Sequence, residues 1–193
     1  MRYTLGISAL MLVVCLGQAY SQDDMTNKMM ELAQPGPEHE LLNEFTGDGS
    51  MTSEMVMDPS GSSMKGTADA SGELILGGRF VKLTSKGNYE MMGNKMPMET
   101  FHIIGFDRIK NVYFMFGIDT WGTYSIFAEG TYDEETQVLS LEGETEMPGM
   151  GAHKFAINYD LSPEDAYTFE VKGPAGPQSE ELTTWVRGEV NTK

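Results

Sequence analysis

Apolar and polar residues alternate through much of this chain. In AHKFAINYDL (152–161), His153, Phe155, Ile157, Tyr159 and Leu161 share one face, while Ala152, Lys154, Ala156, Asn158 and Asp160 share the other. A strand repeats its side-chain direction every two residues, so the odd-numbered set is expected to point inward. Tyr167, Phe169 and Val171 repeat the pattern against Thr168, Glu170 and Lys172, and Leu139 and Leu141 form an inner pair. Segment 112–118 is apolar on both faces, which predicts that a helix or a second surface covers it.

Strands are expected at 50–57, 67–75, 80–89, 98–106, 112–119, 123–132, 137–146, 152–161, 167–171 and 180–190. Turn chemistry separates them, as in Asp58-Pro59-Ser60-Gly61, Leu76-Gly77-Gly78 and Ser162-Pro163-Glu164-Asp165. No intervening segment could serve as a parallel crossover helix, so consecutive antiparallel pairing is the simplest topology. Closing such a meander removes exposed strand edges. The expectation is an all-β, antiparallel barrel of about ten strands, with room inside for a small apolar ligand.

Ahead of the strands the period changes. Met25, Met29 and Leu32 fall at helical spacing behind Asp23 or Asp24 as N-cap. Pro35-Gly36-Pro37 stops that helix. Pro37 then suits the first turn of a second short helix, with Leu41, Leu42 and Phe45 on one face. The first residues carry Arg2, an apolar run from Leu5 to Leu16, and then the small residues Gly17, Ala19 and Ser21. This is the layout of a secretory signal peptide cleaved after Ala19 or Ser21, and it predicts a periplasmic or extracellular protein. Cys15 lies inside the apolar run without a small residue before it, so lipidation is not expected. The organisation read from this is a signal peptide over 1–21, a helical segment over 22–46 and a barrel over 47–191.

Composition narrows the function classes. The only cysteine is Cys15, so residues 22–193 hold no disulfide, thiolate ligand or thiol nucleophile. The same residues carry 12 basic and 29 acidic side chains, a balance of −17. That charge disfavours nucleic acid and anionic membranes as partners and favours solubility. After the first residues no apolar run is long enough to span a bilayer as a helix, so no stable membrane insertion is expected once a signal is removed.

PGPEHELLNEFTGDGSM (35–51), ELILGGRF (73–80), IIGFDRIKNVYFMFGID (103–119) and EGTYDEETQVLSLEGE (129–144) together resemble the bacterial DUF1579 family over residues 29–186. The motif positions are Pro35, Gly36, Pro37, His39, Gly47, Gly77, Gly78, Arg79 and Phe80. The resemblance implies a lipocalin-like, calycin-type β-barrel and carries no established reaction. Members usually begin the first strand with Gly-x-Trp, the Trp plugging one end. Here Gly49 stands in that place, which predicts a substitute such as Trp121 or Trp185. Arg187 parallels a basic residue that lipocalin-like barrels place on the last strand.

No catalytic motif emerges. There is no Gly-x-Ser-x-Gly, no phosphate-cradling glycine loop, and no zinc-spaced histidine pair among His39, His102 and His153. Non-catalytic binding of a small hydrophobic molecule is the expected function. The candidate ligand-binding residues are Met91, Met92, Met96, Met98, His153, Phe155, Ile157 and Tyr159. No cofactor is predicted. Two alternatives follow from residue chemistry: haem through His153, and copper through Met96 and Met98, since thioethers suit Cu(I). Methionine is also the adaptable apolar residue of promiscuous binding surfaces, which makes the Met91–Met98 hairpin a candidate rim. His39 is expected to make a structural hydrogen bond at its helix start. A further alternative is a structural or interaction protein of the cell envelope with a filled barrel.

Overall fold

The computed structural model describes residues 22–56, 62–91, 93–147, 151–176 and 179–192. The proposed signal peptide therefore lies outside the described residues. The chain divides into two compact units at Ala33/Gln34. The first holds the helix α1 (Gln22–Leu32), with Asp23 and Asp24 in its first turn, where carboxylates favour the positive end of the helix dipole.

The second unit is a closed barrel of ten antiparallel strands in meander order. They are β1 (Gly47–Val56), β2 (Ser63–Ile75), β3 (Phe80–Met91), β4 (Asn94–Asp107), β5 (Val112–Asp119), β6 (Ile126–Asp133), β7 (Val138–Met147), β8 (Gly151–Asp160), β9 (Ala166–Pro174) and β10 (Leu182–Asn191). β1 closes on β10 through pairs from Ser50↔Asn191 to Met55↔Val186. Every strand thus has two neighbours, and no open sheet edge remains. The inward parity expected for β8 holds: Phe155, Ile157 and Tyr159 are buried.

The segment before β1 is a 3-10 helix over Pro37–Phe45, not an α-helix. Its buried residues are His39, Leu42 and Phe45. That spacing of three explains the geometry. At three residues per turn these positions stack on one face, whereas an α-helical period would have selected Leu41 with Leu42 and Phe45. The helix packs against β2, β3 and β4 and closes the lower end of the barrel, the end carrying the β2–β3, β4–β5, β6–β7 and β8–β9 connections. Phe45 is 1 % exposed, with ring centroids 5.3 Å from Tyr159 and 5.1 Å from Tyr167, both edge-to-face.

The family-type residues build this lower end. The Gly36 amide donates to His39 Nδ1 at 3.1 Å, the structural bond expected of His39. The His39 ring meets Phe106 edge-on at 6.0 Å, and burial holds its pKa below the usual imidazole value. Tyr113 Oη donates to the Glu38 carbonyl at 2.8 Å. Arg79 Nη1 donates to the Leu76 carbonyl at 3.0 Å, and Arg79 Nη2 to Gln34 Oε1 at 3.3 Å. Leu76, Gly77 and Gly78 take positive φ in succession, 51°, 70° and 79°, which explains two glycines in this turn.

Neither tryptophan substitutes for the missing end plug. The Trp121 ring lies tilted against Tyr89 at 5.2 Å, and the Trp185 ring against His153 at 5.8 Å, both toward the upper end. Position 49 could not hold a side chain, because a Cβ there would lie 1.6 Å from the Asn191 carbonyl oxygen. The plug is instead Leu42 and Phe45 of the 3-10 helix. Arg187 points outward and pairs with Glu54 at 2.6 Å. On β5, the two-sided apolarity is satisfied ring on ring. Phe114 meets Phe80 edge-on and stacks with Phe127, both at 6.0 Å, while Ile118 and Phe127 stay 42 % and 48 % exposed.

Candidate functional site

Side chains fill the lower barrel. Leu42, Val81, Ile104, Met115, Leu139 and Leu141 are almost fully buried and form one cluster with Phe45. Above them the packing stops, and a cavity of about 200 Å³ remains. Its floor is Phe45 with Tyr159 and Tyr167. One wall is apolar, with Ile157, Phe169, Val171 and Val186 from β8, β9 and β10. Met51, Met55, Met98 and Met115 add thioethers from β1, β4 and β5. A space walled this way excludes water cheaply and suits an apolar molecule.

Cavity size follows from residue size. β2 places Gly66, Ala68, Ala70 and Gly72 on inward positions where other strands carry Leu, Ile or Tyr. Small side chains there leave the upper barrel unfilled. Gly72 is small for another reason as well: a Cβ would lie 1.7 Å from the Phe45 carbonyl oxygen.

The opposite wall is polar at one place. Ser85 on β3 pairs with Thr100 on β4, and Thr100 pairs with Asp119 on β5. Their inward side chains therefore form a row. Ser85 Oγ and Thr100 Oγ1 are hydrogen-bonded at 2.8 Å. Asp119 Oδ1 accepts the Trp121 amide at 2.7 Å. His102 is the next inward residue on β4 and sits diagonally across from Asp119. Its ring lies over Gly117, where a Cβ would come within 2.8 Å of His102 Cδ2. Enclosure by the barrel lowers its pKa to about 4, against the opposing pull of Asp119. The imidazole is therefore neutral at pH 7.

The sequence-derived candidates divide. Met98, Ile157 and Tyr159 line the cavity. Phe155 belongs to the packed core. Met96 is half-buried on the inner face of β4, above the cavity lining. The Met91 side chain and Met92 lie outside the described residues. His153 is inward but stands beside the cavity. Its Nδ1 lies 3.0 Å from the Gly151 carbonyl, and its Nε2 is buried without a hydrogen-bond partner. An axial haem ligand needs open space beyond its ring nitrogen, and the closed surroundings of Nε2 beside Trp185 do not fit one. For copper, Met98 faces the apolar interior along with Met51, Met55 and Met115.

The Met-Pro-Met stretch is strand, not turn. β4 begins at Asn94, four residues before the expected start, so Met96, Pro97 and Met98 all pair with β3. Pro97 is tolerated because the β4–β5 ladder ends at Thr100↔Asp119, so its missing N–H breaks no bond on that side. Its carbonyl accepts Trp121 Nε1 at 3.1 Å.

His102 and Asp119 are the residues that sequence reasoning passed over. Parity was the available signal: His102 shares its face with Ile104 and Phe106, and Asp119 with Tyr113, Met115 and Gly117. β4 hides it by being apolar on the other face too, at Phe101 and Ile103.

Comparison with solved structures gives a likeness to the crystal structure of Rv2717c from M. tuberculosis. The TM-score is 0.57 at 13 % identity, covering 83 % of this chain and 99 % of that one. At that identity the likeness is one of fold. Comparison with curated proteins gives no match. The family described as "Protein of unknown function (DUF1579)" matches residues 34–186, from the start of the barrel unit to the last strand. The chain therefore belongs to the DUF1579 family.

Proposed function

We propose that this protein is a non-catalytic binder of a small hydrophobic molecule, held inside the upper barrel, and that it works after export. The observation that carries the reading is the cavity of about 200 Å³ between a packed floor and four methionines. Dry apolar cavities of roughly 150 Å³ accept a single aromatic ring, so a one-ring or short-chain guest is the matching size class. The signal-like sequence at residues 1–21 supports export. The charge balance of −17 over residues 22–193 fits a protein that stays in solution.

A titration of methyl-labelled methionine protein with toluene tests the reading. Saturable shifts at Met51, Met55, Met98 and Met115 are expected. Ala70→Phe, which fills the cavity from β2, should abolish them. Absence of saturable shifts in the wild-type protein would refute the reading.

A further inference from the structure

Resting on that reading, we infer that the cavity selects guests with an uncharged hydroxyl head, seated on His102 and Asp119, and rejects carboxylates. The first ground is charge. Among the described residues that line the cavity there is no Lys or Arg, and Asp119 is the one carboxylate. An organic anion entering this space would lose its hydration, meet a like charge and find no cation. Fatty acids and aromatic acids are therefore poor guests despite their apolar bodies.

The second ground is hydrogen-bonding capacity. A neutral imidazole carries one N–H donor and one bare nitrogen acceptor. Among the described residues no protein group hydrogen-bonds the His102 ring, whose perturbation comes from burial and from Asp119 alone. The low pKa keeps this ring neutral through the physiological range. Asp119 has one oxygen on the Trp121 amide and a second that can still accept. Ser85 and Thr100 share one hydrogen bond, which leaves only one of their two hydroxyl hydrogens to offer a guest. A hydroxyl both donates and accepts, so it can bridge the carboxylate and the imidazole. The hydrocarbon part then lies toward Phe169, Val171 and Val186.

Three ligands on one ring separate these terms: toluene, benzyl alcohol and benzoate, each titrated at pH 7 by calorimetry. Benzyl alcohol is expected to bind about fivefold more tightly than toluene, since a net hydrogen bond contributes about 1 kcal/mol. Benzoate is expected to bind at least about tenfold more weakly than toluene. His102→Leu should bring benzyl alcohol down to the toluene level. Asp119→Asn keeps the acceptor for the Trp121 amide and should recover benzoate binding. Imidazole ¹⁵N shifts on benzyl alcohol addition should move for His102 and stay fixed for His39 and His153. Benzoate binding equal to that of benzyl alcohol, or benzyl alcohol no tighter than toluene, overturns the inference and leaves the apolar-cavity reading standing. No binding of any of the three, toluene included, overturns that reading itself.

Discussion

Phe45→Ala is the sharpest perturbation of the plugged end. Phe45 is 1 % exposed and lies between the cavity and the packed core. The substitution removes a full ring from a site walled by strands that pair on both sides, which limits collapse. Buried Phe→Ala changes cost about 3–5 kcal/mol, combining lost transfer energy with the void left behind. The edge-to-face contacts with Tyr159 and Tyr167, at 5.3 and 5.1 Å, place this site at the upper part of that range. A domain of this kind holds about 5–15 kcal/mol in total, so the variant should stay folded only at low denaturant. Equilibrium unfolding in guanidinium, followed by tryptophan fluorescence, measures the loss through a shifted midpoint at unchanged slope. Ile109→Ala, at a residue 83 % exposed, is the control and should stay within about 0.5 kcal/mol of wild type. A Phe45→Ala loss below about 1 kcal/mol would refute the claim that the 3-10 helix is the structural plug.

Other predictions follow from single contacts. Stability should fall on acidification through the titration of His102. Its folded pKa of about 4 lies below the unfolded value of about 6.5, so the unfolded state binds the extra proton, and the loss runs from roughly pH 6.5 down to 4. That window holds on the order of 2–3 kcal/mol, and His102→Leu should remove it from the pH profile measured by urea titration. Gly49→Ala should cost at least about 2 kcal/mol in thermal unfolding, since its Cβ would collide with the Asn191 carbonyl at 1.6 Å. Near-wild-type melting would contradict the close β1–β10 approach. Tyr89→Phe strands the buried Ser53 hydroxyl, which donates to Tyr89 Oη at 2.8 Å, and should cost about 1 kcal/mol by the same assay, with Ser53→Ala recovering part of it in the double variant.

How far the sequence discloses this molecule depends on whether one period dominates locally. β8 alternates cleanly, so its parity and inner face could be read directly from residues 152–161. β5 occupies Val112–Asp119 as expected, although the cover for its outer face comes from Phe80 and Phe127 rather than from a helix or second layer. The Met-Pro-Met segment belongs to β4 although residues 91–98 read as a hairpin connection. What permits Pro97 there is that the β4–β5 ladder stops at Thr100↔Asp119, a tertiary fact invisible to local pattern. The short helix from Pro37 is legible, with Leu42 and Phe45 buried and Leu41 packed against the core; its 3-10 period and the burial of His39 are not, because a histidine does not announce itself as a core residue. The end plug could not be inferred by searching for a tryptophan, because backbone proximity at Gly49 excludes any side chain and the plug comes from the preceding helix. The cavity depends on small inward residues of β2 facing larger ones across the barrel. That relation becomes visible only once the strands are in register.

Everything proposed for this protein depends on an upper barrel that is hollow and apolar. A crystal of the protein pressurised with xenon tests it most directly, because xenon enters dry apolar cavities without needing a specific partner. A xenon peak is expected above Phe45, within van der Waals reach of Met51, Met98 and Ile157, with its loss in Ala70→Phe. A space filled by repacked side chains, or xenon found elsewhere in the crystal and absent from this position, would contradict it.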